Sequence, residues 1–494
     1  MIELPHIHLS IVQPKGYVHA LGFLDQARYF RHQFRRMGAE VTMGKNRLRH
    51  DAVNFVFGAH LGFDATQCER YACIFVNLEQ LGRGGAAVSA DYMTLLKTSA
   101  VVDYDADNLA AYAQDPQDVM IVPFLHAPYL APAEPIPLEQ RPIDLLFIGS
   151  MNERRKRLIE RIESTGVQVS VFDGALYGPE RDAYIAASKA VFNAHFYETS
   201  RFEQARASLC LSLGTPVISE RRAQTRPHPA FESSVHWLKD EQIETFFRKE
   251  FGTPEFFRKA RAALQAFTTA DPIEPYADLM AYAMGFAKGH RQRHPETTWQ
   301  PKRVFIGSGF DYMPGWLNID TDDRMQADLD GDFSQAIVLP FAGSTPELGP
   351  IELDRNSVEM VYASTAFELS PNRAQFMSNC LSLLTDQGKL IVNCRVAHAP
   401  SADEWRAYTD DFWRSGWFAH RFQIERLDHL DTRGEPCDAR SAVTQRAVLL
   451  KCETSAQERM TARTMQADLS IPDDWLEPVA SAEVAPAEEA RHAA

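Results

Sequence analysis

The stretch FNAHFYETSRFEQARASLCLSLGTPVISE at 192–220 carries the densest group of chemically active side chains in this sequence. Glu203 and Arg206 are three residues apart, a spacing that places both on one face of a helix. A carboxylate there can accept hydrogen bonds from both hydroxyls of a ribose, and an arginine can meet a phosphate. The alternative is an exposed helical ion pair of little energetic consequence.

Other polar residues directly follow predicted strands. Ligands of doubly wound sheets bind beyond the carboxyl ends of the strands, so these positions are candidates for the same site. In FIGSMNERR, a glycine turn precedes a helix whose free N–H groups favour an anion, and Arg154 could contact a diphosphate with both guanidinium nitrogens. The donor-binding candidates are Gly149, Ser150, Arg154, Asn193, His195, Tyr197, Glu198, Glu203 and Arg206.

Two earlier segments are suited to an acceptor substrate. QPKGYVHALGF places His19 in a glycine-containing loop after the first predicted strand, where a histidine could accept a proton. NLEQLG places Glu79 after another strand. We choose His19 over Glu79 as the candidate catalytic base, and both remain candidates.

A third group begins at Arg303 with RVFIGSGFDYMPGWLNID. Gly307 and Gly309 form a tight turn after one strand, and Asp320 closes the next strand, where an acid can bind the ribose of a cofactor.

These groups are positioned by short apolar strands that alternate with amphipathic helices, a pattern typical of βαβ units and parallel sheets. One series runs through 1–130, a second through 143–285 after a proline-rich hinge, and a third through 301–453 after a linker. Residues 454–494 have little periodic apolar content, and we expect a disordered tail there. The predicted fold is α/β, with two Rossmann-like domains followed by a third.

Composition narrows the class of partner. The net charge of −15 argues against nucleic-acid binding. The seven cysteines are scattered and never spaced as CxxC, which argues against a zinc cluster or a disulfide framework. No apolar run approaches the roughly 20 residues needed to span a bilayer, and the start lacks a basic leader, so we expect a cytoplasmic protein without an integral membrane segment.

The 143–220 segment resembles the nucleotide-sugar half of bacterial glycosyltransferases of the two-Rossmann GT-B type, close to the branch that includes spore-maturation CgeB-like proteins. In that branch an N-x-H strand precedes an E-x-x-R helix and a G-x-P-V-x-S-E strand. The corresponding residues here are Asn193, His195, Glu203, Arg206, Gly214, Pro216 and Glu220. The resemblance covers roughly 7–285. Better-known retaining members carry two glutamates where this chain has Arg201 and Leu209, which leaves inversion or retention open.

The third series resembles a class I S-adenosylmethionine-dependent methyltransferase, and in that resemblance Asp328 occupies the place of an adenine-side acid. The chain departs from that family at three places. Phe305-Ile306 stands in place of the acid before the first glycine, Asp311 in place of the third glycine, and Phe367-Glu368-Leu369 in place of Leu-Glu-His.

The predicted function is therefore transfer of a sugar from a nucleotide-sugar donor to a hydroxyl on a glycan, lipid or protein. A methyltransferase-like domain would bind S-adenosylmethionine. No Asp-x-Asp carboxylate cluster lies beside the donor segment, so we expect no metal. Two alternatives are a methyltransferase with a glycan-binding front half and a non-enzymatic scaffold in glycan assembly.

Overall fold

The computed structural model describes residues 6–172, 176–197, 199, 201–322, 324–325, 327–395, 407–408, 410–414, 418, 421–438, 441–452 and 476–477. The chain divides into two compact units, Met1–Pro295 and Glu296–Ala494. Apart from 476–477, the tail predicted at 454–494 lies outside the described residues.

The first unit begins with a six-stranded sheet in the order β2-β1-β3-β4-β5-β6, with every strand parallel to its neighbours. All residues of β3 and β4 are buried, as expected for parallel strands covered on both faces. The strands are β1 (His6–Ile11), β2 (Glu40–Lys45), β3 (Val53–Phe57), β4 (Cys73–Asn77), β5 (Ala100–Asp103) and β6 (Met120–Ile121), and the helices are α1 (Phe23–Arg36), α2 (Ala90–Thr98) and α3 (Leu109–Tyr112).

The α1 helix shows how the sequence determines these elements. Ala27, Phe30 and Phe34 recur at helical spacing and are fully buried against the first sheet. After the helix, Gly38 has a φ of +88°, the left-handed conformation that the residue after a helix often adopts. The α1 helix thus ends at Arg36, two residues before this glycine.

A second parallel sheet, in the order β11-β10-β9-β7-β8, completes the first unit. Its strands are β7 (Ile143–Ile148), β8 (Val169–Phe172), β9 (Ser188–Asn193), β10 (Val217–Glu220) and β11 (Val235–Leu238). The accompanying helices are α4 (Glu153–Glu163), α5 (Gly178–Ala186), α6 (Gln204–Ser212), α7 (Pro229–Ser234), α8 (Ile243–Lys249), α9 (Pro254–Phe267) and α10 (Ile273–Arg293).

The last helix of the unit returns to the first sheet. Tyr276, Leu279 and Ala283 on α10 are fully buried in the same core cluster as β1, β3 and α1. The connection between the sheets is also held from both sides, because the Leu125 N–H donates to the Tyr29 hydroxyl (2.7 Å) and the Ala127 N–H donates to Ser212 Oγ on α6 (2.9 Å). The two sheets are thus linked by more than the chain that joins them.

The second unit contains a seven-stranded sheet in the order β14-β13-β12-β17-β18-β21-β20, in which only the pairings of β21 are antiparallel. The strands are β12 (Arg303–Ile306), β13 (Leu317–Asp320), β14 (Leu329–Asp330), β15 (Phe341–Thr345), β16 (Gly349–Leu353), β17 (Val358–Ser364), β18 (Leu384–Arg395), β19 (Ala407–Tyr408), β20 (Phe422–Leu430), β21 (Thr444–Lys451) and β22 (Leu476–Glu477). The helices are α11 (Ala366–Leu369), α12 (Arg373–Leu383) and α13 (Asp410–Arg414), and β15-β16 and β19-β22 form two small antiparallel pairs.

The predicted fold class is confirmed: the chain is α/β, with two parallel-sheet Rossmann-like halves followed by a third Rossmann-like sheet. Among the described residues, no helix is both long enough and apolar enough to cross a bilayer.

Candidate functional site

A cleft cavity of about 470 Å³ lies in the first unit, where loops after strands of both sheets face one another. His19 follows β1 and Glu79 follows β4 on one side, while Gly149 follows β7 and Tyr197 follows β9 on the other. The structure thus brings together most of the residues chosen from the sequence for the acceptor and donor sides. Those that line the cavity are His19, Glu79, Gly149, Ser150, Tyr197, Glu203 and Arg206.

Two arginines converge on the backbone at the end of β7. A Cβ atom on Gly149 would lie 3.3 Å from Arg155 Nη1 and 3.3 Å from Arg206 Nη2. Glu203 binds both guanidinium groups, with 2.9 Å between Arg155 Nη2 and Glu203 Oε1 and a close ion pair to Arg206. The predicted Glu203–Arg206 pair is therefore present, and Arg155 extends it into a triad.

Arg155 lines the cleft cavity, although it is not among the donor-binding candidates chosen from the sequence. Its side chain is almost fully buried, donates to the carbonyls of Ser150 (2.8 Å) and Ala194 (2.6 Å), and lies over the rings of Phe147 and Phe196. Burial lowers the pKa of Arg155, and Glu203 opposes that shift. An arginine remains protonated under such a shift, so a cation is fixed beside the cleft.

Arg154, the arginine chosen from the sequence, does not line the cleft cavity. Its guanidinium donates to the His195 carbonyl (2.8 Å) and forms a close ion pair with Glu220. Consecutive helical residues point about 100° apart. The Asn152 side chain caps α4 by accepting from the Arg155 N–H (2.9 Å), and this register places Arg155 at the cleft.

Asn193 and His195 lie beneath the cavity and do not line it. Asn193 donates to Ser219 Oγ (3.0 Å), and both ring nitrogens of His195 have partners, the Arg201 carbonyl and Thr225 Oγ1, each at 3.1 Å. Burial lowers the pKa of His195, despite the opposing effect of Glu220. Asn193 and His195 therefore support the loop after β9 from behind the cavity. Glu198, another donor-binding candidate, lies outside the described residues.

His19 meets the opposite half of the cleft. Its Nδ1 lies 3.2 Å from the Tyr177 hydroxyl, at the start of α5. Its Nε2 makes no hydrogen bond within the described part of the chain. The ring is exposed, so a substrate hydroxyl could reach this nitrogen.

Glu79 has a histidine neighbour that the sequence reasoning did not include. His60 Nε2 lies 3.5 Å from Glu79 Oε1, and the His60 ring packs against Phe23 and Tyr92. Burial lowers the pKa of His60, and the charge of Glu79 raises it in opposition. One carboxylate oxygen of Glu79 therefore already contacts His60.

Hydrogen bonds also connect the two walls of the cleft. Thr199 Oγ1 donates to Gln80 Oε1 at 2.8 Å, and Arg201 donates to the side chain of Asn108 and to the Asp107 carbonyl. Arg201 therefore joins the two halves.

The second unit has its own cavity, of about 270 Å³, at the carboxyl ends of β12, β13 and β17. Gly307, Gly309 and Asp320, the three residues chosen from the sequence for the cofactor turn and ribose, all line it. Asp320 accepts the Gly309 N–H (2.8 Å) and the Asp322 N–H (3.1 Å), one with each oxygen. Each carboxylate oxygen has two acceptor sites, so Asp320 retains capacity for two hydroxyl groups.

Close packing around Gly307 also fits a cofactor of the predicted kind. A Cβ there would lie 2.7 Å from the Ala366 Cβ and 2.9 Å from the Ser364 carbonyl, so the turn accepts only glycine. Together with the free acceptor sites of Asp320, this turn fits a ligand that carries a ribose and approaches the backbone closely.

Asp328 does not line this cavity. It precedes β14, so it lies at the start of a strand and not at its carboxyl end. Its carboxylate accepts the Asn318 N–H (2.8 Å) and the Tyr312 hydroxyl (3.0 Å). Asp332, which follows β14, lines the cavity instead and was missed, although its position after a strand was the available signal.

Within the described residues, no group of three or more histidine, cysteine, aspartate or glutamate side chains is placed to hold a metal ion.

Comparison with known proteins gives partial matches. No family model matches the chain. Two uncharacterised proteins of Acanthamoeba polyphaga mimivirus, L140 and L138, are 27% identical over 133 residues and 32% identical over 78 residues. These matches cover 25% and 16% of this chain, and the chain spans only 41% and 9% of the length of the two relatives.

Similar solved structures are of two kinds. A glycosyltransferase from Rickettsia africae ESF-5 (8% identity, TM-score 0.38) and AviGT4, a glycosyltransferase involved in avilamycin A biosynthesis (12%, 0.38), each match 58% of this chain, over 99% and 98% of their own lengths. An S-adenosylmethionine-dependent methyltransferase from Mesorhizobium loti (12%, 0.21) matches 32% of this chain over 94% of its own length.

Proposed function

We propose that the first unit transfers a sugar from a nucleotide-sugar donor to an acceptor hydroxyl. The observation that carries this proposal is the convergence of Arg155 and Arg206 on Gly149, in a cleft between two parallel sheets. Two fixed cations with one shared carboxylate leave a net positive charge, in a protein whose total charge is −15. Such a site suits a diphosphate leaving group.

In this mechanism the acceptor oxygen attacks the anomeric carbon of the donor, and the bond from that carbon to the diphosphate breaks. Arg155 and Arg206 stabilise the charge that develops on the departing phosphate, because they are held in place before the reaction. Glu203 orients both arginines, and its two oxygens retain acceptor sites for the hydroxyls of a ribose.

His19 is the proposed base for the acceptor hydroxyl. Its Nδ1 is engaged by Tyr177, which orients the ring, and its Nε2 faces no protein partner in the described chain. Glu79, the other candidate, lies beside His60. A pH–rate profile of His19→Asn beside one of Glu79→Gln distinguishes the two, since loss of the base removes its ionisation from the profile.

The test of the donor site is a binding screen of the full chain against UDP-, GDP-, TDP- and CMP-sugars, followed by an assay for sugar transfer or donor hydrolysis. A bound donor raises the unfolding temperature by mass action. If no nucleotide sugar binds, the proposal is wrong. Binding without turnover would instead favour the non-enzymatic scaffold.

We further propose that the second unit binds S-adenosylmethionine, because Gly307, Gly309 and Asp320 line one cavity at strand ends. Asp320 would hold the ribose, and the bound cofactor would supply an electrophilic methyl group. Methylation of a glycan acceptor in the presence of S-adenosylmethionine tests this activity. Cofactor binding and methylation without any nucleotide-sugar binding would favour a methyltransferase whose front half binds glycan.

A further inference from the structure

A second cavity of about 470 Å³ borders the cleft in the first unit. It lies between α1 and α6 and is bounded by Tyr129 of the connection between the sheets. Asp25, Gln26, Phe124, Ala205 and Leu209 line both this cavity and the cleft. We call this second cavity the α1 cavity. Because the two cavities share these lining residues, a ligand in the α1 cavity lies directly beside the site proposed for the donor.

The α1 cavity has an excess of positive charge. Arg28, Arg31 and Arg35 repeat at helical spacing along the face of α1 that lines it. Its two acids, Asp25 and Asp182, are both ion-paired with Arg181, at 2.5 Å and 2.6 Å. The acids of the wall thus have a cationic partner of their own.

Two of the three cavity arginines are available to a ligand. Arg28 and Arg31 form no hydrogen bond or ion pair with any described residue, while Arg35 donates to the Val41 carbonyl (3.0 Å). Burial lowers the pKa of Arg31, and the neighbouring Arg35 and Arg28 lower it further. Like charges crowded in this way are stabilised by a bound anion.

Unpaired polar atoms and an aromatic ring complete the cavity. Gln26 Oε1 and His32 Nε2 are buried with no hydrogen-bond partner among the described residues, although both residues line the cavity. Buried polar atoms are rarely left unpaired in proteins. The Tyr129 ring packs on His32 with 4.8 Å between ring centroids and is 44% exposed, so one face can contact a sugar.

We propose that the α1 cavity binds the acceptor and that the acceptor carries an oxyanion, a phosphate or a carboxylate, held by Arg28 and Arg31. This inference rests on the proposed sugar transfer, because only that reaction makes the molecule beside the cleft an acceptor. The anionic group sits in the α1 cavity and the attacking hydroxyl extends past Gln26 toward His19.

The experiment titrates the full chain with glucose 6-phosphate, glucuronic acid and glucose, and separately with the nucleotide sugar that binds best. The variant is the pair Arg28→Gln and Arg31→Gln, which keeps the polar side chains and removes both charges. Arg248→Gln is the matched control, an exposed arginine on α8 that lines neither cavity. Thermal unfolding verifies that both variants fold.

At least one anionic sugar should bind the parent, glucose should not, and the double variant should weaken that binding at least about tenfold while the control does not. Nucleotide-sugar binding should stay within about twofold in both variants. The tighter of the two anionic probes distinguishes a phosphate from a carboxylate. The rate with an acceptor that carries that group should fall in the double variant through a higher KM.

Three results overturn the inference. They are no binding of either anionic sugar, equal binding by parent and double variant, and loss of binding in Arg206→Gln alone, which would place the anion in the donor site. Failure of the proposed function is a separate result, in which no nucleotide sugar binds any variant. The α1 cavity would then lose its role as an acceptor site even if anions bind there.

Discussion

Gly149 is the residue at which one added methyl group tests the donor site most directly. In Gly149→Ala the new Cβ would lie 3.3 Å from a nitrogen of Arg155 and of Arg206, so both guanidinium groups must shift. We expect nucleotide-sugar binding to weaken at least about tenfold, or ~1.4 kcal/mol. Calorimetric titration of parent and variant measures this.

The added side chain also strains the backbone, because Gly149 has a φ of +146°. Gly166→Ala is the matched control, since Gly166 has a φ of +96° and an added Cβ there would meet nothing within 4 Å. Both substitutions should lower the free energy of unfolding by an amount on the order of 1–3 kcal/mol. If both weaken donor binding equally, the effect is strain and the arginines do not hold the diphosphate.

Glu203 provides a second test at the residue scale. Glu203→Gln keeps the volume of the side chain but removes the charge between Arg155 and Arg206. We expect donor binding to weaken by roughly 1.5–3 kcal/mol, the range for a lost charge-assisted hydrogen bond. Arg206→Lys keeps the charge but loses the planar fork, and should slow transfer more than it weakens binding.

The control for Glu203 is Glu255→Gln, which breaks another ion pair at the same helical spacing, with Arg258 on α9. It should leave donor binding and transfer unchanged. Parent-like behaviour of both Glu203→Gln and Arg206→Lys would mean that this pair is only a structural salt bridge and that the donor site lies elsewhere.

At the scale of elements, the sequence predicts the alternation of strands and helices because each strand is a short apolar run and each helix has one apolar face. The sequence does not indicate which of two neighbouring arginines on α4 faces the cleft. It favours Arg154, whereas the structure places Arg155 there. Whether Asp328 lies at the start or at the carboxyl end of β14 likewise depends on where that strand begins, and β14 has only two residues. Local pattern predicts an element more reliably than the direction of one side chain.

The return of α10 to the first sheet was also beyond local pattern. Its buried residues are spaced as in any amphipathic helix, so the sequence does not indicate which sheet they cover. The connections across the cleft were missed for the same reason, since residues such as Arg201 and Asn108 are 93 positions apart. Long-range contacts of this kind depend on the tertiary arrangement.

The edge between β1 and β2 yields a pH prediction. His8 on β1 lies 2.8 Å from Thr42 Oγ1 on β2 and 3.0 Å from the Arg47 carbonyl, and burial lowers its pKa to about 4. Between pH 6.5 and pH 4 the unfolded chain takes up a proton that the folded chain does not. This histidine should therefore lower the free energy of unfolding as the pH falls through that window, by ~3 kcal/mol in total.

The measurement compares parent and His8→Asn, in which the position no longer titrates. Both proteins are unfolded with urea at several pH values between 7 and 3, and fluorescence is followed. The parent should lose more stability than the variant over this range, with no further difference below pH 4. Parallel losses in the two proteins would show that His8 is not held neutral by its surroundings.

At the scale of the whole molecule, the chain combines two compact units, each with a cavity at the carboxyl ends of parallel strands. The first cavity contains Arg155 and Arg206, which we propose bind a diphosphate, and the second contains a glycine turn and an acid, which we propose bind a ribose. If the proposed activities are both present, one polypeptide would extend a glycan and methylate it. Each activity should then be removable without loss of the other.

Asp320 is the residue with which that independence can be tested. Asp320→Ala removes the carboxylate at the end of β13 and should abolish S-adenosylmethionine binding, while nucleotide-sugar binding and transfer stay largely intact. The alanine also frees two backbone N–H groups, so Asp320→Asn, whose single side-chain oxygen can still accept from one of them, guards against local unfolding. Asp322→Ala is the matched control, because this neighbouring acid does not line the cavity.

Calorimetry with each ligand on the parent and the three variants measures both binding events. Absence of cofactor binding in the parent would refute the methyltransferase proposal, and loss of sugar transfer in Asp320→Asn would refute the independence of the two sites.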